Sequence, residues 1–358
     1  MNTIETRINV HFPGFSLAVE LTLPATGIIG LFGESGSGKS TFLRTIAGLE
    51  RPVNSRIVIS GNTWHDDDRG IFIPTHKRSL GFVFQDGALF PHMSVLANMQ
   101  YGLKRIPAEK RKIPLTHVAE LLGITHLLDR KPDSLSGGEK QRVGIARALA
   151  PGPEVLMMDE PLASLDTRRK AEIIPYLNRL NDELSIPILY VSHDVNEMIR
   201  LADHMVLLEA GSVQASGPTE ELLTRLDLPL AYGAEAAALV NGRIIENDAT
   251  AQINTIAYRG GRIFLPGKAD NVGKSVRVRV RAADVSLSLE KARQTSILNI
   301  IDTQVVRVEE EDVGLVMVEL DAGGTRLLSR ITKHSARLLD IRPGKKVYAQ
   351  VKAAALVD

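Results

Sequence analysis

The chain has 358 residues, enough for about two domains, with 43 Lys and Arg against 42 Asp and Glu, a net charge of +1 and no cysteine. Missing cysteines exclude disulfides, thiolate metal sites and cysteine nucleophiles, and the even charge argues against a general nucleic-acid or anionic-membrane binder. No stretch reaches the roughly eighteen apolar residues of a membrane-crossing helix, and the charged start Met1–Arg7 has no long apolar run behind it, so no signal peptide is expected.

In chain order, the apolar run Ile28–Phe32 is predicted as a buried strand. It runs into Gly33-Glu34-Ser35-Gly36-Ser37-Gly38-Lys39-Ser40-Thr41, which fits G-x-x-x-x-G-K-[ST] at every fixed position. Phe42–Gly48 continues as a helix, so the motif has its strand–loop–helix setting. Glycines let backbone N–H groups curl around phosphate oxygens, and the helix N-terminus adds partial positive charge. Lys39 is expected to reach the β- and γ-phosphates of a nucleoside triphosphate, and Ser40 to offer its hydroxyl to Mg²⁺.

Further strands are expected at Ile57–Ile59, Gly81–Phe84, Val155–Met158 and Ile188–Val191, alternating with helical patterns as in a mostly parallel α/β sheet. Residues 90–153 read as an inserted helical subdomain. Within it, Ser136-Gly137-Gly138-Glu139 is a helix capping box. Capping alone does not explain two glycines in a first helical turn, where they cost stability. Bare N–H groups at a helix start suit a second phosphate contact, and one γ-phosphate already has a loop on its inner side. The second contact is therefore expected to face the nucleotide of another subunit. The strand Val155–Met158 ends in Asp159 and Glu160, at the edge where ligands gather in parallel sheets. Asp159 is expected to hold Mg²⁺ through water, and Glu160 to polarise the attacking water.

From about residue 240 the pattern becomes alternating, as in Arg277–Arg281 and Val316–Leu320, with turns at Gly260-Gly261, Gly323-Gly324 and Pro343-Gly344. A small all-β region is expected there. The chain is read as an α/β unit over 1–235, a linker and β segment over 236–293 beginning near Ala234–Ala238, and a β domain over 294–358.

The segment Leu135–Gln141 resembles the signature motif of the ABC ATPases, and other elements of that family follow in order. Gln85 resembles the Q-loop glutamine that senses Mg²⁺ and the attacking water. Ser164-Leu165-Asp166 resembles the D-loop that crosses the dimer interface, and His193 the switch histidine that hydrogen-bonds the γ-phosphate. The resemblance covers about 1–235. It implies ATP and Mg²⁺ as ligands and a head-to-tail homodimer, in which Lys39 and Ser40 of one subunit meet Ser136 and Gly138 of the other. The family's adenine-stacking aromatic falls in a window holding Phe12 and Phe15, with Phe12 favoured.

Phe90–Val95 resembles the importer segment that meets a permease, which must be a separate chain. Residues from about 294 to 358 resemble an OB-like, Mop-type β-barrel that binds molybdate or tungstate, through Thr295–Asn299, Val316–Leu320 and Pro343–Ala353. Arg279–Leu287 resembles the segment ahead of that domain in molybdate importer ATPases. The resemblance thus implies an importer ATPase at the cytoplasmic face of a bacterial inner membrane, with an extracytoplasmic substrate-binding protein as an indirect partner. Molybdate is an added ligand candidate, with Ser296 and Lys352 as contacts. Leu298 stands where the family often has Arg, so the domain is read either as an oxyanion sensor or as a dimerisation platform. Import of another solute, such as sulfate, iron, a polyamine or a sugar, is the alternative.

Overall fold

The computed structural model describes residues 3–107, 111, 113–267 and 272–357, the side chain of Val313 excepted. Met1 and Asn2 of the charged start lie outside the described residues, as does Asp358 at the end of the expected β domain. The chain divides into two compact units, Met1–Gly217 and Pro218–Asp358.

Among the described residues, the first unit holds two sheets. One has six strands in the order Ser212–Pro218, His204–Glu209, Ile28–Phe32, Ile188–Ser192, Val155–Asp159, Leu80–Val83. From His204–Glu209 to Leu80–Val83 the pairings are parallel. Buried on both faces, these strands are continuous apolar runs, with every residue of Val155–Asp159 and Ile188–Ser192 buried. The second sheet was not expected. It is antiparallel, in the order Phe15–Pro24, Thr3–Phe12, Arg56–Ile59, Asn62–Asp66, Ile71–Phe72. Its first hairpin alternates buried Ile4, Ile8 and Val10 with more exposed residues, a one-sided pattern unlike that of the parallel strands. Between the sheets, Phe42, Leu43 and Ile46 of the helix Lys39–Ala47 sink into one core with Ile29, Leu31, Val155 and Ile57. At about 1.5–3 kcal/mol for each fully buried side chain of this kind, that core fixes the helix behind its glycine loop.

The helical stretch is present as Val95–Leu103, Leu115–Leu121 and Gly137–Leu149. Asn98, fully buried, anchors the preceding loop by accepting from Phe90 N (2.9 Å) and donating to Phe90 O (3.1 Å).

Among the described residues, the second unit is two five-stranded antiparallel sheets around a shared apolar core. One runs Gly261–Pro266, Ile253–Tyr258, Ala237–Asp248, Ser275–Arg281, Ala355–Leu356; the other runs Val285–Ser288, Lys346–Val351, Asn299–Glu310, Leu315–Asp321, Arg326–Thr332. The division between compact units lies at Gly217/Pro218, whereas the sequence reading set its boundary at 235/236. Leu226, Ala231 and Ala236 bury with Ala282, Met317 and Leu328, which ties 218–236 to the β unit. Ala237–Asp248 is a strand within the stretch read as linker and β segment. Strands on both sides of residue 294 share these sheets: Val285–Ser288 completes the second, while Ala355–Leu356 crosses back to the first.

Candidate functional site

The glycine loop sits at the carboxyl end of Ile28–Phe32, against the neighbouring strand ends. Gly33 has φ 153 and a Cβ there would lie 2.1 Å from Leu208 O, so no side chain fits. Gly38 has φ 104, and a Cβ would meet Leu17 Cδ1 at 2.8 Å and the Phe15 ring at 2.9 Å. The two aromatic candidates are thereby separated. Phe15 supports the loop from below and packs on the core, whereas Phe12, at the hairpin tip, is 41% exposed.

The helix Lys39–Ala47 begins with Gly38, has no side-chain cap and carries no acid in its first turn, so its N-terminal N–H groups face an uncontested site. Lys39 is buried, and its Nζ donates to Gly33 O (2.8 Å) and Glu34 O (2.7 Å). Burial pushes its pKa below the ordinary lysine value, against the pull of Glu160 and Asp159. Ser37 Oγ is buried inside the loop without a partner. Ser40 Oγ donates to Asp159 Oδ1 at 2.6 Å, and Arg44 Nε lies 3.9 Å from Asp159 Oδ2.

Glu160 follows at φ 46, a left-handed conformation rare for a side-chain-bearing residue. Its N–H donates to Val191 O on the adjacent strand (3.2 Å), and its Oε2 lies 3.2 Å from His193 Nδ1. The structure thus brings Lys39, Ser40, Asp159, Glu160 and His193 together where three parallel strands end. Gln85 is exposed in the turn after Leu80–Val83. Arg147, from the helix Gly137–Leu149, holds that turn by donating to Gly87 O (3.2 Å) and Ala88 O (2.7 Å).

Ser136, Gly137 and Gly138 form a separate grouping. The capping box is complete: Ser136 Oγ accepts from Glu139 N (3.3 Å), and Ser136 N donates to Glu139 Oε2 (2.7 Å). Hydrogen bonding from Ser136 to the carboxyl group, first from its side chain and then from its backbone N–H, holds the Glu139 pKa below its usual value. Gly137 has a packing role that sequence reasoning missed, since a Cβ would stand 3.1 Å from Leu165 Cδ2. Asp166 caps the helix Thr167–Glu183 by accepting from Arg169 N (2.9 Å).

Arg78 was also missed. Buried beside the rings of Trp64 and Phe72, it donates to Thr45 O and Ile46 O at the far end of the loop's helix. Burial pushes its pKa down to about 10. Nothing local in the sequence joins Arg78 to a helix some thirty residues earlier.

In the second unit, Leu298 is 59% exposed and both Ser296 and Lys352 are exposed. Buried Asn299 accepts from Phe264 N (2.7 Å) and donates to Phe264 O (2.9 Å). Its amide thereby joins the two sheets.

A glycine loop on a parallel sheet, with an Asp-Glu strand end beside it and a capped Ser-Gly-Gly helix start, defines an ABC-type ATPase. The model of the ABC transporter family matches residues 17–163, and that of the TOBE domain residues 295–357. The solved structure of cbiO1 from Clostridium perfringens, part of the ABC transporter complex cbiONQ, is 26% identical with a TM-score of 0.55, covering 63% of this chain and 92% of that one. The molybdenum import ATP-binding protein ModC of Methylococcus capsulatus is 50% identical over 100% of both chains. ModC 1 of Azotobacter vinelandii is 48% identical over 99% of this chain and 98% of its own, and ModC of Pseudomonas savastanoi pv. phaseolicola 50% identical over 99% of each. The chain belongs to this family of ABC import ATPases.

Proposed function

We propose that this chain hydrolyses ATP to drive import of molybdate through a separate membrane permease. The observation that carries the ATPase half is the convergence of Lys39, Ser40, Asp159, Glu160 and His193 on one glycine loop. The solute rests on identity near 50% along the full chain to molybdenum import proteins, which disfavours sulfate, iron, polyamine or sugar import. Among the described residues no helix is long and apolar enough to cross a membrane. A peripheral position at the cytoplasmic face, on permease subunits that in turn meet an extracytoplasmic binding protein, fits that finding.

The residues present fit their expected ligands. A buried, unpaired Ser37 hydroxyl, an uncapped helix start and a lysine held over the loop carbonyls suit a polyphosphate. Adjacent hard oxygens of Ser40 and Asp159 suit Mg²⁺, which when bound neutralises phosphate charge. Phe12 is the aromatic that stacks on adenine in this reading, which its exposure supports, while Phe15 underlies the loop. Glu160 orients and polarises the attacking water, and His193 beside it hydrogen-bonds the γ-phosphate. Gln85 reports on the metal and the water from the turn that Arg147 holds. Ser136, Gly137 and Gly138 close on the nucleotide of a second copy, with Asp166 crossing the same interface. Closure then depends on the γ-phosphate, and its hydrolysis releases the pair.

For the β unit, the structure favours a platform over an oxyanion sensor. The position expected to be a cation holds exposed Leu298, and the Asn299 amide is engaged by Phe264. Calorimetric titration of the purified chain with molybdate, tungstate and sulfate is expected to show no saturable binding. Saturable molybdate and tungstate binding without sulfate binding would make the region a sensor.

A further inference from the structure

We propose that Lys170 is a positioning residue that fixes the His193 turn to the helix capped by Asp166. The proposal rests on the ATPase reading above and adds to it a residue with no expected contact to nucleotide.

Lys170 lies in the first turns of the helix Thr167–Glu183, and its N–H donates to Asp166 O (2.9 Å). Its Nζ bridges two acids, donating to Asp194 Oδ2 at 3.1 Å and standing 2.7 Å from Glu197 Oε1. Asp194 immediately follows His193 and caps the helix Val195–Leu201 by accepting from Asn196 N (2.9 Å). Its own N–H donates to Ser192 Oγ (3.0 Å), which tightens the Ser192–Asp194 turn. Glu197 is buried, and its second oxygen accepts from the hydroxyl of fully buried Tyr190 (2.7 Å). Tyr190 and Asp194 flank His193 on either side along the chain, and both sit in the group that Lys170 closes.

Charge decides what this group does. Glu197 is a buried carboxylate, and such a group is costly unless paired and hydrogen-bonded. Burial opposes the Lys170 charge, but hydrogen bonds to Glu197 and Asp194 outweigh it and hold its pKa above the ordinary lysine value. Burial and the neighbouring Glu197 charge keep Tyr190 a neutral donor, with its pKa well above the usual phenol. Two acids and one shared cation define one orientation of the turn. The Lys170 ammonium group thereby bridges the element that begins at Asp166 and the turn that carries His193. A shift of the Thr167–Glu183 helix moves His193, and with it the Glu160 carboxylate 3.2 Å away.

The test uses the purified full chain with Lys170→Met and Lys170→Arg, each alone and with His193→Ala, and measures steady-state ATP hydrolysis. Glu160→Gln is the control for the site reading. Lys170→Met is expected to lower kcat roughly 10–100-fold, the scale of a small displacement near the chemistry, with the KM for ATP changed less than about two-fold. Lys170→Arg restores most of the rate. In the His193→Ala background, Lys170→Met adds less than about two-fold, because its effect passes through that histidine. Glu197→Gln, which removes the uncompensated charge, recovers part of the rate and keeps the experiment readable if Lys170→Met folds poorly. An unchanged kcat for Lys170→Met, or a full multiplicative loss on top of His193→Ala, overturns the proposal while Glu160→Gln remains stalled. Normal hydrolysis by Glu160→Gln instead overturns the site reading beneath it.

Discussion

Glu160→Gln is expected to bind ATP as the unaltered chain does and to hydrolyse it about 10²–10⁴-fold more slowly, the range for loss of a general base. Glutamine keeps the size of the side chain and can still hydrogen-bond His193 from the Oε2 position, 3.2 Å from Nδ1 in the parent. The strained backbone at φ 46 is held by the hydrogen bond from Glu160 N to Val191 O, which the substitution leaves in place. Only the negative charge that polarises water is lost. Single-turnover hydrolysis and equilibrium nucleotide binding, measured side by side, check this. Hydrolysis at the parental rate would remove Glu160 from the role.

Lys39→Ala is expected to act one step earlier, on binding itself. The ammonium group is buried and rests on two carbonyls of the loop, Gly33 O and Glu34 O. Those bonds hold it over the expected phosphate position. Removing one partner of a buried charge pair costs about 2–5 kcal/mol, so ATP affinity is expected to fall roughly 10²-fold or more. Stability should change far less, because burial already disfavours the Lys39 charge and its pKa is lowered accordingly. Fluorescent-nucleotide titration together with a thermal melt separates the two effects. Unchanged nucleotide affinity counts against the phosphate-loop assignment.

What could be read from the residues was what is local. The strand–loop–helix around Gly33–Thr41 needs only neighbouring positions, and the structure has it at Ile28–Phe32 and Lys39–Ala47. The Ser136 capping box is equally local and is present in full. The antiparallel sheet escaped because the alternation in Thr3–Phe12 gives a strand but not its partner; Arg56–Ile59 joins it from some fifty residues away. The unit edge at Gly217/Pro218 escaped for a related reason. Leu226 and Ala231 are apolar residues whose burying partners, Met317 and Leu328, lie about a hundred residues later. The site shows the same division. Strand ends announced Asp159 and Glu160, whereas Arg78 and Lys170 act through tertiary contacts to Ile46 and Glu197 that no spacing reveals.

Tracer molybdate uptake tests the central claim most directly. Cells lacking this chain would be supplied with it or with Glu160→Gln, both at equal abundance. The parental chain is expected to restore molybdate accumulation, excess unlabelled molybdate to compete and sulfate not, and Glu160→Gln to leave uptake at background. Full uptake with Glu160→Gln would contradict ATP hydrolysis as the driving step, and restored transport of a different solute without molybdate would contradict the substrate.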